Sequence, residues 1–225
     1  MKFNHKTTIL FDLDGTLIDS VPDLSLAVNE MLTLLKREIF SEDTIRYWVG
    51  NGAQTLVKRA LLGKREVEDQ SMDEAFFKEA HAIFLKAYAK NLCKATQPYP
   101  HVTQTLKALK SKGYRLAIIT NKPVQFVEPI LLGLELHDLF ESSLGGDSLE
   151  HKKPDPMPLL HMCELMDVDT EACVMVGDSK NDILAANACG MESIGVTYGY
   201  NYGEDLGIYK PSILINDFGE LLKYL

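Results

Sequence analysis

The chain has 225 residues, enough for one large hydrophobic core or for a core with a small second lobe. Hydrophobic residues make up 46% and charged residues 24%, as in ordinary globular proteins, and no run approaches the ~20 apolar residues that a membrane helix needs. The net charge of −9 repels polyphosphates at long range, so we do not expect nucleic acid as a partner. Because no apolar run is long enough for a membrane helix, we do not expect a membrane as a partner either.

The cysteines and the first residues predict a cytoplasmic protein. The apolar run near the start is too short for a signal peptide and is interrupted by Asp12. Cysteines occur far apart, without a CxxC pair or a histidine at zinc spacing, and are typical of buried thiols in a reducing compartment: Cys93, Cys163, Cys173 and Cys189. The sequence leaves open whether the chain is a monomer or a small homo-oligomer.

The first predicted element is a buried strand over residues 7–11, which ends in two carboxylates, Asp12 and Asp14. In an extended chain residues i and i+2 share a face, so we expect both side chains to point the same way. Like charges side by side are tolerated when a cation, a shared proton or a reaction requires them. The alternative is a polar turn closed by Asx hydrogen bonds. A calcium loop of the EF-hand type does not fit, because Gly15 comes too early.

The next stretch, from about Asp19 to about Lys94, shows helical periodicity and no strand signal. Pro22 opens a helix, Ser41 is a predicted N-cap, and Gly52 precedes another amphipathic pattern. A third, long helix is predicted around residues 76–88. The pattern therefore indicates an all-helical insertion.

Strands and helices alternate through the remaining chain. The predicted strands cover residues 115–120, 142–144, 173–176, 193–196 and 213–215. Helices are predicted from Val102 to Gly113, from Pro123, after the Asp155–Pro156 pair (the expected N-cap and first helical position), and from about Asn181 to Gly190. Nearly continuous apolar strands separated by helices predict an α/β fold with a doubly wound, Rossmann-like parallel sheet covered on both faces.

Polar residues follow several predicted strands, at the sheet edge where such folds bind ligands. They are Asp12 and Asp14 after the first strand, Thr120, Asn121 and Lys122 after the second, Lys153 after the third, and Asp178 and Ser179 after the fourth. Asp178 and Asp182 are four residues apart at a predicted helix start, which would place them on one helix face. Four carboxylates at one edge suit a hard cation, Mg²⁺. Each signal also has a structural alternative: a helix dipole for the acidic pair, a strand-end turn for Thr120, and a solvated side chain for Lys153.

Taken together, these motifs resemble those of the haloacid-dehalogenase-like hydrolase superfamily in order and spacing. They are Asp12-x-Asp14-Gly15-Thr16, Thr120-Asn121, Lys153-Pro154 and Gly177-Asp178-x-x-x-Asp182. The resemblance implies that residues 19–94 form an inserted all-helical cap domain on a hydrolase core of residues 1–18 and 95–225. Asp14, which true dehalogenases lack, implies phosphoryl transfer.

Two further segments, 48–61 and 197–204, are similar to bacterial phosphoglycolate phosphatases. One departure is Asp155, where that family usually has histidine. The similarity implies a Mg²⁺-dependent hydrolysis of 2-phosphoglycolate through an aspartyl-phosphate. A related phosphatase or mutase that acts on another small phosphoester, such as a sugar phosphate, a nucleotide or pyrophosphate, remains an alternative. A phospho-accepting signalling receiver is a non-enzymatic one, although receivers carry no long helical insertion.

The resemblance also implies a role for each motif residue. Asp12 would be the nucleophile and Asp14 the general acid and base. Thr120, Asn121 and Lys153 would bind phosphate. The metal would be held by Asp12, the Asp14 main-chain carbonyl, Asp178 and, through water, Asp182. In the cap, Lys58 or Arg59 would contact the carboxylate of the substrate.

Overall fold

The computed structural model describes residues 2–3, 5–67 and 72–225, which form a six-stranded parallel sheet and a two-stranded antiparallel ribbon. The strands are β1 (Thr8–Phe11), β2 (Ile18–Asp19), β3 (Gln97–Pro98), β4 (Arg115–Ile119), β5 (Ser142–Leu144), β6 (Cys173–Gly177), β7 (Glu192–Val196) and β8 (Ile213–Ile215). The helices are α1 (Val21–Leu34), α2 (Glu42–Arg46), α3 (Ala53–Leu62), α4 (Glu74–Asn91), α5 (Val102–Ser111), α6 (Val127–Gly133), α7 (Met157–Leu165), α8 (Lys180–Ala188) and α9 (Leu221–Tyr224).

The parallel sheet has the strand order β5-β4-β1-β6-β7-β8, so β1 lies between β4 and β6. Its last residue, Phe11, pairs with Ile118 on one side and Val176 on the other. Along β1, Ile9 and Phe11 enter the hydrophobic core on one face, and Leu10 enters the core on the other. This alternation confirms the predicted doubly wound sheet that is covered on both faces.

Helices α1 to α4 lie between β2 and β3, and the described residues of that segment contain no strand. The chain enters and leaves the segment through the β2–β3 ribbon, in which Asp19 pairs with Gln97. This ribbon could not be predicted from the sequence, because strands of two residues are too short to show a periodic pattern. The limits of a separate cap and core stay a prediction, and residues 1, 4 and 68–71 of those ranges lie outside the described residues.

Two helices begin within one residue of their predicted starts, and the exact starts decide which acidic residues share a helix face. Helix α7 begins at Met157, because Pro156 is its N-cap and Asp155 accepts the Met157 N–H at 2.8 Å from outside the helix. Helix α8 begins at Lys180, with Ser179 as its N-cap. Asp178 therefore precedes the helix and does not share a helix face with Asp182.

Cys93, Cys163, Cys173 and Cys189 are all free; Cys163 and Cys173 are buried, and the other two are half-buried. In the described part of the chain, every helix is too short or too polar to cross a bilayer.

Candidate active site

Three carboxylates meet at the carboxyl edge of the sheet. Asp12 follows β1, Asp178 follows β6, and Asp182 lies in the first turn of α8. One carboxylate oxygen from each lies within 4.8 Å of the other two. We call these residues the acidic cluster.

Local hydrogen bonds hold Asp182 in this position. Its Oδ2 accepts the N–H and the hydroxyl of Ser179, each at 3.0 Å, which forms the capping box at the start of α8. The proximity of Asp178 and Asp182 therefore arises from the loop before the helix.

Asp178 is held from two other segments. Its Oδ1 accepts the Thr16 hydroxyl at 2.7 Å, and its Oδ2 accepts the Tyr200 N–H at 2.7 Å. Gly15 permits this approach, because a Cβ at that position would lie 2.3 Å from Asp178 Oδ2, and its φ of +92° is unfavourable for other residues. The glycine of the Asp-x-Asp-Gly motif thus leaves space for the carboxylate of Asp178, which lies 163 positions further along the chain.

Lys153 is the cation inside the cluster. Its Nζ lies 2.6 Å from Asp182 Oδ1, 2.5 Å from the main-chain oxygen of Ile119 and 3.0 Å from Asp12 Oδ1. Its side chain is 1% exposed, so the ion pairs are shielded from water. An ammonium has three N–H donors, and these three oxygens surround it.

One lysine does not neutralise three carboxylates, of which Asp178 and Asp182 are buried and Asp12 is half-buried. Burial, opposed by Lys153 and reinforced by Asp182, raises the pKa of Asp12 to about 7. Burial and the charge of Asp12 raise the pKa of Asp178 well above its ordinary value. Asp12 Oδ1 is buried and, apart from its ion pair with Lys153, has no hydrogen-bond partner among the described residues. Hard divalent cations prefer oxygen ligands with this negative charge, so the acidic cluster fits such an ion.

Of the four carboxylates expected at one edge, Asp12 and Asp14 line a common cavity, but of these two only Asp12 belongs to the acidic cluster. The Asp14 carboxylate lies outside the acidic cluster and binds Lys122 Nζ at 2.8 and 2.9 Å and the Ser20 hydroxyl at 2.5 Å. Strand β1 ends at Phe11, so the alternation of an extended chain does not continue to Asp14. A ligand role for the main-chain carbonyl of Asp14 stays a prediction.

The predicted phosphate-binding residues lie together beside Asp12. Thr120 Oγ1 accepts the Lys122 N–H at 3.2 Å, which leaves its own hydroxyl hydrogen available to a ligand. The side-chain amide of Asn121 donates to the main-chain oxygens of Gly50 at 3.2 Å and Lys153 at 3.0 Å. Asn121 therefore positions Lys153 and joins the helical segment to the sheet edge.

A cavity of about 40 Å³ opens between this edge and the helical segment. Five polar or charged residues line its sheet side: Asp12, Asp14, Thr120, Asn121 and Lys122. The helical segment contributes a mostly apolar wall, which includes Leu24, Val49, Leu56, Phe84 and Tyr88. The lining thus joins the acidic edge to a small apolar space.

Lys58 and Arg59 do not line this cavity. The Lys58 ammonium lies 5.5 Å from the centre of the Phe77 ring. Arg59 donates to the main-chain oxygen of Trp48 at 2.6 Å and borders a separate groove. In the described part of the chain, Lys122 is the one basic residue that lines the cavity. Lys122 was predicted at a strand end without a role, and Tyr88 was not predicted as a site residue.

Comparison with known proteins agrees with this arrangement. A family model described as "Haloacid dehalogenase-like hydrolase" matches residues 9–196. A phosphoglycolate phosphatase of Colwellia psychrerythraea is 52% identical over 222 residues, 99% of this chain and 98% of the relative. One of Psychrobacter arcticus is 49% identical over 98% of this chain and 96% of the relative. The crystal structure of a predicted phosphoglycolate phosphatase from Haemophilus somnus superposes with a TM-score of 0.91 at 40% identity, and 98% of each chain is covered.

Proposed function

The chain belongs to the haloacid dehalogenase-like hydrolases, and from this premise we propose that it is a Mg²⁺-dependent phosphatase that hydrolyses 2-phosphoglycolate to glycolate and inorganic phosphate. The observation that carries the reaction class is the position of Asp12, which borders the cavity beside Thr120 and lies 3.0 Å from Lys153. The substrate is supported by the names of full-length relatives at about half identity.

In this proposal the reaction has two steps. A carboxylate oxygen of Asp12 attacks phosphorus, and the bond from phosphorus to the glycolate oxygen breaks, which leaves an aspartyl-phosphate. Water then attacks the same phosphorus and regenerates the carboxylate. Asp14 gives a proton to the departing glycolate oxygen and later takes one from the water, a contribution typically worth ~10²–10⁴-fold in rate.

The phosphate would be held by residues that follow neighbouring strands. Thr120 has a hydroxyl hydrogen available, and Lys153 carries a buried positive charge. Because the side-chain amide of Asn121 already binds Gly50 and Lys153, we assign its contact with phosphate to its main-chain N–H. Such donors act on the oxygens over which charge spreads in the transition state.

The acidic cluster would hold the magnesium ion, with the main-chain carbonyl of Asp14 as a further ligand. Asp182 already binds Ser179 and Lys153, which supports a contact through water. When bound, Mg²⁺ supplies positive charge that offsets the negative charge of phosphate and carboxylates. Residues 19–94 would act as a cap that excludes water from the reaction.

We also propose that the protein works in the cytoplasm. Free thiols, among them Cys163 and Cys173 with sulfurs 3.7 Å apart, support the reducing cytoplasm expected from the sequence. A small phosphoester is the partner proposed here. Whether one chain or a small homo-oligomer performs the reaction stays open.

A panel of phosphoesters tests this function. Phosphate release would be measured with 2-phosphoglycolate, a hexose phosphate, a nucleoside monophosphate and pyrophosphate, each with Mg²⁺ or with EDTA. We expect the highest kcat/KM for 2-phosphoglycolate and no turnover in EDTA. Preference for another ester would contradict the substrate, and a single phosphorylation per chain without turnover would indicate a receiver.

A further inference from the structure

Tyr88 carries a buried hydroxyl without a hydrogen-bond partner. The residue lies on α4, lines the cavity, and is 1% exposed. Its hydroxyl lies close to Lys122 but has no partner at hydrogen-bond geometry among the described residues. Buried tyrosine hydroxyls usually find a partner, because an unpaired polar group in the interior costs free energy. We therefore expect a ligand in this cavity to form a hydrogen bond with the Tyr88 hydroxyl.

The ring of Tyr88 is held in place by two aromatic neighbours. It stacks on Phe84 with 5.9 Å between ring centres and meets the edge of Phe126 at 4.9 Å. All three residues line the cavity. The hydroxyl is thus presented by a ring whose orientation is fixed by packing before any ligand arrives.

Lys122 places a positive charge next to this ring. Its Nζ lies 4.8 Å from the centre of the Tyr88 ring, and its side chain is 2% exposed. The charge of Asp14 keeps the Lys122 amine protonated, because it raises the pKa of that amine above its ordinary value against the effect of burial. Both contacts of Lys122 with Asp14 come from one side, and an ammonium has three N–H donors. Lys122 can therefore bind a second anion while it remains near Asp14.

The cavity admits only a small anion. Its volume is about 40 Å³, well below the ~300–1,000 Å³ of pockets that bind drug-sized molecules. The wall made by Leu24, Val49 and Leu56 offers no hydrogen-bonding side chain. In 2-phosphoglycolate one methylene group separates the phosphate ester oxygen from the carboxylate. A phosphate beside Asp12 and Thr120 brings that carboxylate within the same cavity.

We infer that the Tyr88 hydroxyl and the Lys122 ammonium together bind the carboxylate of the substrate and so select a two-carbon acid as the leaving group. This inference rests on the proposed function and names the residues that determine its substrate. Tyr88 and Lys122 thus take the place of Lys58 and Arg59, which lie outside the cavity, as the residues that bind the carboxylate of the substrate. The hydroxyl supplies one donor and the ammonium supplies charge, so a phosphoester without a carboxylate leaves both unused.

The test compares 2-phosphoglycolate with ethyl phosphate, which lacks the carboxylate, in wild-type enzyme and Tyr88→Phe. The substitution keeps the ring and its packing and removes only the hydroxyl. We expect KM for 2-phosphoglycolate to rise about 10- to 100-fold, as for a lost hydrogen bond to a charged group, with kcat changed by less than about threefold. The kinetic constants for ethyl phosphate should stay within about twofold of wild type. Tyr114→Phe, before the amino end of β4, is the matched control and should change neither substrate.

Lys122→Met provides the second arm. This variant also removes the partner of Asp14, so activity on both substrates should fall, and the ratio of the two kcat/KM values isolates the carboxylate contact. We expect the preference of wild type for 2-phosphoglycolate over ethyl phosphate to drop at least tenfold. If Tyr88→Phe and Lys122→Met both leave that ratio unchanged, the inference is overturned while the proposed function stands. If wild type itself shows no preference for 2-phosphoglycolate, the proposed function fails first and the inference fails with it.

Discussion

Lys153 Nζ lies 2.6 Å from Oδ1 of Asp182, and neither side chain is more than 1% exposed. Removing one partner of a buried ion pair leaves the other charge uncompensated, which typically costs ~3–5 kcal/mol. We therefore expect Lys153→Met to lower the free energy of unfolding by that amount in EDTA, measured by urea denaturation. The matched control is Lys223→Met, since Lys223 is exposed and pairs with Glu220 at the surface; it should cost ~0–1 kcal/mol. Equal losses in the two variants would contradict the role of Lys153.

Metal binding by the acidic cluster predicts a stability shift that depends on Asp178. An ion that binds only the folded state at 100 times its Kd stabilises it by ~2.7 kcal/mol. We expect Mg²⁺ to raise the Tm of wild type and to have little effect on Asp178→Asn, which loses one charged ligand. Asp169→Asn, at an exposed loop position, is the control and should retain the full shift. An undiminished shift in Asp178→Asn would place the metal elsewhere.

Gly50 lies where the helical segment packs closely on the sheet edge, so we expect its substitution to lower activity. Gly50 has a φ of +116°, and a Cβ there would lie 2.6 Å from the Tyr202 hydroxyl. Its main-chain oxygen accepts the side-chain amides of Asn121 and Asn181, each at 3.2 Å. Gly50→Ala should therefore lower kcat/KM at least about tenfold, since small displacements at an active site are costly.

Gly113→Ala controls for backbone strain in that experiment. Gly113 also has a positive φ, +90°, but a Cβ there would meet no atom within 4 Å. Both variants should lose ~1–3 kcal/mol of stability, and only Gly50→Ala should lose activity. Similar kinetic losses in the two would show that strain alone is responsible.

The centre of the sheet could be predicted because β1, β4 and β6 are buried on both faces and consist mainly of apolar residues. The motif residues Asp12, Thr120 and Asp178 could be placed at one edge because parallel strands end at that edge together. The position of Asp14 outside the acidic cluster could not be predicted, because β1 ends at Phe11 and the turn that follows depends on contacts with Ser20 and Lys122.

Tyr88 and Lys122 illustrate what a single sequence conceals. Tyr88 belongs to the apolar pattern of α4, and nothing in that pattern distinguishes a core ring from one whose hydroxyl reaches a cavity. Its contact with Lys122 joins residues 34 positions apart in the chain and depends on how α4 packs over the sheet. Lys58 and Arg59 were selected from their position in a similar segment, without knowledge of which helix face meets the sheet.

Glu204 predicts a pH dependence of stability. Hydrogen bonds from Tyr209 first, and then from Arg65 and Lys180, lower the pKa of Glu204 from 4.5 to about 2. Because the folded-state pKa is depressed, this stabilisation is present above about pH 4.5 and is lost as the pH falls towards 2. The side chain is about a quarter exposed, so solvent screening limits the effect to ~1 kcal/mol. Between pH 6 and pH 3, wild type should lose about that much more stability than Glu204→Gln, whereas exposed Glu79→Gln should follow wild type.

The most direct test of the account is phosphate release from 2-phosphoglycolate by Asp12→Asn in saturating Mg²⁺. The amide keeps the size of the side chain but cannot act as the nucleophile, so we predict a fall in kcat of at least about 10³-fold, with circular dichroism confirming an intact fold. A variant that keeps a kcat within tenfold of wild type would contradict the assignment of Asp12 as the residue that attacks phosphorus.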